Sequence, residues 1–211
     1  MKQHNWISFF FAPFMLLSLI TGYLSTSINP VEAQDSQETD RSQGDTAYYL
    51  GLLAYNSGQL IEAVHHWENA LSLYTSSLLK RAEILGNLAV AYNETGKYVN
   101  ALDANRTALE IFVELEKEDS ISIIKLNLGN IYVNLGNYDG AIQTYQESLS
   151  IAQTTGDRQA EGMILGNLGY VYAKQGENIQ ALKAHEKGLE IAREIGDRKS
   201  ESYRLLNVGL A

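Results

Sequence analysis

Four tripeptides of one kind stand 40 residues apart: Asn87-Leu88-Ala89, Asn127-Leu128-Gly129, Asn167-Leu168-Gly169 and Asn207-Val208-Gly209. Tyr92, Tyr132 and Tyr172 keep that step, as do Gly96, Gly136 and Gly176, and then Ala101, Ala141 and Ala181. Gly156-Asp157-Arg158 returns as Gly196-Asp197-Arg198. Laid over one another, residues 122–161 and 162–201 agree at 14 of 40 positions. A period in this range belongs to stacked supersecondary units, each of which buries its apolar face only against its neighbours. In the unit that begins near residue 122, Leu128, Ile131, Tyr132 and Leu135 recur at helical spacing. Gly136 then stops that helix. A second apolar pattern follows through Tyr138, Ala141, Ile142, Tyr145, Leu149 and Ala152. Each unit therefore reads as two antiparallel helices of about 14 to 16 residues joined by a tight turn. The only prolines, Pro13 and Pro30, precede the repeat, which suits long uninterrupted helices.

The start of the chain has a different composition. Lys2 and His4 come first, Ile7 to Leu24 is apolar or small, and Val31-Glu32-Ala33 follows. This is the three-part layout of a secretory signal peptide, with cleavage expected between Ala33 and Gln34 and an uncleaved anchor as the other outcome. Export to the periplasm or medium is the expectation. Residues 34–43 hold no apolar side chain and read as a flexible spacer. The repeat array then occupies 44–211, in units of about 44–77, 82–115, 122–155 and 162–195 with a partial fifth at 202–211. A net charge of −9 disfavours nucleic acid and anionic lipid as partners. The lack of cysteine removes disulfides and thiolate chemistry.

The pattern within each unit resembles the tetratricopeptide repeat. That repeat carries Leu at position 7, Gly or Ala at 8, Tyr at 11, Ala at 20, an aromatic at 24 and Ala at 27. Leu50, Gly51, Ala63, Trp67 and Ala70 match it in the first unit at positions 7, 8, 20, 24 and 27. Leu88, Ala89, Tyr92, Ala101 and Ala108 match in the second at 7, 8, 11, 20 and 27. Leu128, Gly129, Tyr132, Ala141 and Tyr145 do so in the third, with Ser148 at 27, and Leu168, Gly169, Tyr172 and Ala181 in the fourth, with His185 at 24 and Gly188 at 27. The usual aromatic at position 4 and proline at 32 are missing, and a longer linker containing Gly-Asp-Arg is read as the source of the 40-residue period. That variant is similar to LGN/Pins, kinesin-light-chain and the cyanobacterial-type arrays that precede a caspase-like CHAT domain. The resemblance implies an all-α, right-handed superhelical solenoid.

It also implies a concave groove lined by the first helices, at positions 2, 5, 6, 9, 12 and 13. The residues placed there include Tyr48, Tyr49, Leu52, Tyr55, Asn56, Glu83, Asn87, Val90, Asn93 and Glu94. The candidate peptide-binding set is Asn87, Asn127, Asn130, Asn134, Asn167, Tyr170 and Lys174. Position 6 is Asn in units two to five, and a row of amides can pair with a peptide main chain whatever its side chains. The same row could instead tie each helix to the next unit. The carboxylate clamp known in the family is not carried over, because only Lys125 and Lys174 lie near this face.

No catalytic constellation stands out. The four histidines are His4, His65, His66 and His185; His65 and His66 lack a third metal ligand, and His185 falls at the core ring position. No phosphate-loop or nucleophile-elbow spacing occurs, and Asp157 reads as a helix cap. Asn93 and Asn105 begin glycosylation sequons inside helical patterns. The expected function is an exported, non-catalytic scaffold that binds a peptide segment of a protein partner, with no metal or cofactor. The alternative is the regulatory portion of a truncated or split TPR–CHAT peptidase. Self-association through the apolar residues of 202–211 is a further expectation.

Overall fold

The computed structural model describes residues 31–202 and Leu205, with side chains from Arg41 onward. Eight helices follow one another: α1 (Val31–Asn56), α2 (Leu60–Leu73), α3 (Leu78–Glu94), α4 (Tyr98–Glu114), α5 (Glu118–Asn134), α6 (Tyr138–Thr155), α7 (Arg158–Lys174) and α8 (Asn178–Glu194). A further helix begins at 198–202, and there is no strand among the described residues. The tightest packing is within the pairs α1–α2, α3–α4, α5–α6 and α7–α8. Each second helix then packs on the first helix of the next pair. Among non-consecutive elements, α3 meets α5 and α5 meets α7. First helices thus lie along the inner side of a right-handed solenoid.

The period has a simple origin. Helices α3 and α4 have 17 residues each, and three residues separate both α3 from α4 and α4 from α5. The extra length relative to a 34-residue repeat is therefore in the helices, not in a longer linker as expected from the sequence. First helices start four residues earlier than the expected unit boundaries, at Leu78, Glu118 and Arg158. At α7 Asp157 makes this possible, since its side chain accepts from the Ala160 N–H directly after Gly156 ends α6 in the left-handed region at φ 75°. Within units, the Gly136 N–H donates to the Val133 carbonyl and the Asn137 N–H to the Tyr132 carbonyl, which is the Schellman closure. Glu116 takes the place of Gly156 between α4 and α5 and is held at φ 53°, a conformation unfavourable for a residue with a Cβ.

Residues 34–43, read from sequence as a flexible spacer, are helical and form part of α1. Their polarity prevents them from burying surface, but it does not prevent helix formation. The stretch contains no Pro or Gly, and its three Gln, with Glu38 and Arg41, are side chains that a solvated helix tolerates. Thr46 Oγ1 donates to the Ser42 carbonyl one turn back. The leader 1–33 lies outside the described residues except for Val31 to Ala33, and of the 202–211 edge only Ser202 and Leu205 lie within them.

One contact recurs inside three of the four pairs. The position-24 side chain of the second helix lies against the α-carbon of the position-8 glycine in the first. A Cβ added at Gly51 would stand 2.4 Å from Trp67 Nε1, one at Gly129 2.3 Å from Tyr145 Cε1, and one at Gly169 2.5 Å from His185 Cε1. Trp67, Tyr145 and His185 are all buried there. The second unit has Ala89 at position 8, and its partner is the smaller Asn105, which is wholly buried.

This contact predicts a sign reversal. In Gly129→Ala the overpacking, roughly 1–3 kcal/mol, should outweigh the roughly 1 kcal/mol that Ala gains over Gly in a helix, and thermal unfolding should shift downward. Placed in a Tyr145→Leu background, where the ring is gone, the same Gly129→Ala change should be neutral or stabilising. Equal losses in both backgrounds would show that the ring is not what the glycine accommodates.

Candidate functional site

The inner face is built from successive first helices, and its polar side chains are joined across units. Asn87 Nδ2 of α3 donates to the Tyr48 hydroxyl of α1 at 3.5 Å. Asn134 Nδ2 of α5 donates to Asn93 Oδ1 of α3 at 2.9 Å. Asn167 Nδ2 of α7 donates to Asn130 Oδ1 of α5 at 3.0 Å. The Tyr55 hydroxyl of α1 donates to a Glu94 carboxylate oxygen of α3. Burial and the Glu94 carboxylate both push the Tyr55 phenol above its ordinary pKa, so it stays a donor.

The third unit ties this face to the core. Tyr145, 1% exposed, points its hydroxyl from α6 up to Asn130 Oδ1 at 2.6 Å. Its phenol is raised by burial, which keeps the proton in place. Asn130 Oδ1 therefore accepts from both Tyr145 and Asn167, using both lone pairs. In the first unit Trp67 Nε1 plays the corresponding part, donating to the Tyr48 carbonyl at 3.2 Å.

Of the seven residues proposed from sequence, Asn87, Asn130, Asn134, Asn167 and Tyr170 are half-buried along this face, and Lys174 is exposed at its end. Lys174 Nζ sits 5.2 Å from the Tyr170 ring centroid, a cation–π contact. Asn127 differs: it is only 4% exposed, with Oδ1 buried. It sits deeper than Asn87 and Asn167 although all three share one register position. The amides that approach one another are hence both a face and a set of ties between units. An amide offers two donors and two acceptor sites, so a single tie leaves capacity for a ligand.

Lys125, named from sequence as near the groove, instead pairs with Glu147 of α6 and holds that carboxyl below the usual range. A cleft of about 560 Å³ opens between α2, α3 and α4, lined by Glu68, Arg81, Tyr92 and Asp103 among others. Arg81 there donates to the Leu71 and Tyr74 carbonyls at the end of α2. The Tyr92 hydroxyl donates to Glu68 across the same junction at 2.5 Å, and its pKa is pushed up to about 12 by burial and that carboxylate. Sequence reasoning did not single out this cleft, and it named Asn105 only as the start of a sequon, not as a buried core residue. The signal for the latter was present as an asparagine where the other units carry a ring. Asn105 is also fully buried, which removes its sequon from reach in the folded chain. Among the described residues no group of three or more candidate ligands could hold a metal, and no helix is long and apolar enough to cross a membrane.

A row of helix pairs with a polar inner face defines an α-solenoid of the interaction-module class. The profile of the tetratricopeptide repeat family matches residues 43–114 and 120–194, and the chain belongs to that family. Over 71 residues it is 39% identical to photosystem I assembly protein Ycf3 of Synechococcus sp. (strain CC9605), a match covering 33% of this chain and 40% of that protein. Aspartyl phosphate phosphatase F from Bacillus subtilis superposes with a TM-score of 0.76 at 17% identity, over 83% of this chain and 46% of its own. A Rap protein complexed with competence and sporulation factor superposes at 0.72 and 21% identity, over 78% and 47% of the two chains. The chain thus spans under half of each of these proteins, and the structural likenesses establish the fold.

The joined amides predict unequal costs. Asn130→Ala removes the acceptor of a buried phenol and should destabilise by roughly 1–3 kcal/mol. Asn134→Ala breaks one half-exposed tie and should cost roughly 0.5–1.5 kcal/mol at most. Urea unfolding of both variants checks the order, and an Asn130→Ala protein as stable as the parent would mean that the Tyr145 hydroxyl has another partner.

Proposed function

We propose that this chain is a non-catalytic scaffold that holds a peptide segment of a partner protein along the inner face of the array. The observation that carries the reading is the row of amides on α3, α5 and α7, facing the same side at one-unit intervals. A ligand main chain offers donors and acceptors at regular intervals, and amides meet both whatever the sequence of the ligand. The Rap protein structure with a bound factor supports the reading, since the shared fold extends over most of this chain. Asn87, Asn130, Asn134, Asn167, Tyr170 and Lys174 are the contact residues in this proposal. Asn127 would contribute from below the surface.

Site-specific photo-crosslinking tests it. A crosslinker at position 90 or 134 should capture a partner, and mass spectrometry should map the linkage to one short segment of it. The same group at position 99 or 179, on the exposed starts of α4 and α8, should not. The converse pattern would move the interface to the outer edge. Asn87→Ala combined with Asn134→Ala removes two amides, each worth roughly 0.5–1.5 kcal/mol as a net hydrogen bond. Affinity measured by calorimetry should then fall by about one to two orders of magnitude while the fold persists by circular dichroism.

We further propose that the array works outside the cytoplasm, on the strength of the charged, apolar and small-residue order of 1–33. Protein recovered from the exported fraction should begin at Gln34. A chain that keeps Met1 and stays in the membrane pellet would establish an anchor instead.

A further inference from the structure

The junction of the second and third units contains buried polar atoms that the geometry of the neighbouring junctions satisfies and its own does not. Asn105 Nδ2, Asn105 Oδ1 and Asn127 Oδ1 are buried with no hydrogen-bond partner among the described residues. Asn105 is 0% exposed and Asn127 4%. Leaving a buried amide unpaired costs more than most single interactions return, and such groups in native proteins are normally met by an ordered water.

The repeat tells where the two residues stand. Asn105 is the equivalent of Tyr145, and Asn127 the equivalent of Asn167, each 40 residues earlier. In the third unit the ring of Tyr145 lies on Gly129, and its hydroxyl reaches the Asn130–Asn167 pair that joins two first helices. In the second unit Ala89 replaces Gly129, Val90 replaces Asn130, and the ring is cut back to a carboxamide. A phenol reaches roughly 3 Å farther from the backbone than a carboxamide, which is close to one hydrogen-bond length between oxygens. The carboxamide of Asn105 therefore stops short of the position that the Tyr145 hydroxyl occupies in the third unit.

We propose that the junction of the second and third units contains an internal water site, in which a single water accepts from Asn105 Nδ2 and donates to Asn127 Oδ1. A water needs two to four polar partners to be held inside a protein, and Asn105 Oδ1 supplies the third. This site fixes Asn127 with its oxygen inward and its amide NH2 outward, toward the inner face. It explains why Asn127 lies deeper than Asn87 and Asn167. The inference concerns the free protein and does not depend on what the inner face binds.

A high-resolution crystal structure of the chain should show one well-ordered water within hydrogen-bond distance of Asn105 and Asn127. Asn105→Leu separates the alternatives in solution. With the water present, the change strands Asn127 and lowers the unfolding temperature; with a dry site, it removes an unpaired amide and raises it. The Ala89→Gly/Asn105→Tyr double variant rebuilds the third unit's ring-on-glycine contact and, with Val90 in the place of Asn130, should stay folded, expel the water and place the introduced phenol hydroxyl on Asn127 Oδ1. A parent structure without density for that water, or a higher unfolding temperature for Asn105→Leu, would overturn the proposal.

Discussion

In three of the four pairs the helices close until a side chain of the second rests on the bare backbone of the first. That contact sets the separation of the two helices, and much else follows from it. Because Gly51, Gly129 and Gly169 carry no side chain, the rings of Trp67, Tyr145 and His185 pass beside them instead of propping the helices apart. The rings then extend toward the inner face, where Trp67 meets a Tyr48 carbonyl and Tyr145 meets Asn130. Core packing and the polar inner face are therefore parts of one arrangement, in which an apolar ring ends in a polar atom at the point where a buried donor can be paired.

The inner face in turn joins the units. Each tie runs between first helices of successive pairs, from Tyr48 to Asn87, Asn93 to Asn134 and Asn130 to Asn167. Second helices connect units by charge and capping instead, as with Arg193 of α8 and Glu201 of the following helix, or Arg81 on the α2 carbonyls. Exposed pairs of this kind contribute little alone. The Tyr145–Asn130–Asn167 set, anchored on the buried phenol, fixes the register of α5 against α7 more strictly.

Much of this was legible in the sequence, and the misses have physical reasons. The 40-residue step located the helix pairs, and the position-8 glycines located the close approach, because only a missing Cβ explains a small residue in the middle of an apolar face. Glycines after each first helix located the turns, with Gly136 at φ 73°. The length of the helices was misjudged because Gly-Asp-Arg can be read as linker or as stop and cap, and only the Asp157 bond to the Ala160 N–H distinguishes them. Helix over 34–43 was missed because polar composition reports burial, not backbone preference. Register alone could not separate the depth of Asn127 from that of Asn87 or Asn167, since depth depends on the neighbouring unit's ring and the second unit has none.

The exchange of Gly129 and Tyr145 for Ala89 and Asn105 bears on how such an array can have grown. Repeats of this kind multiply by duplication and recombination of segments, and a crossover can fall in any loop. A join in the turn after a first helix would set Ala89 against Tyr145, a methyl into a ring, or Gly129 against Asn105, a void beside an unpaired amide. A join between pairs carries each matched couple across intact. The heritable block is thus the helix pair with its partnered residues: one ring can replace another while the glycine stays, as with Trp67, Tyr145 and His185, but a side chain at position 8 goes with the loss of the ring, as with Ala89 and Asn105.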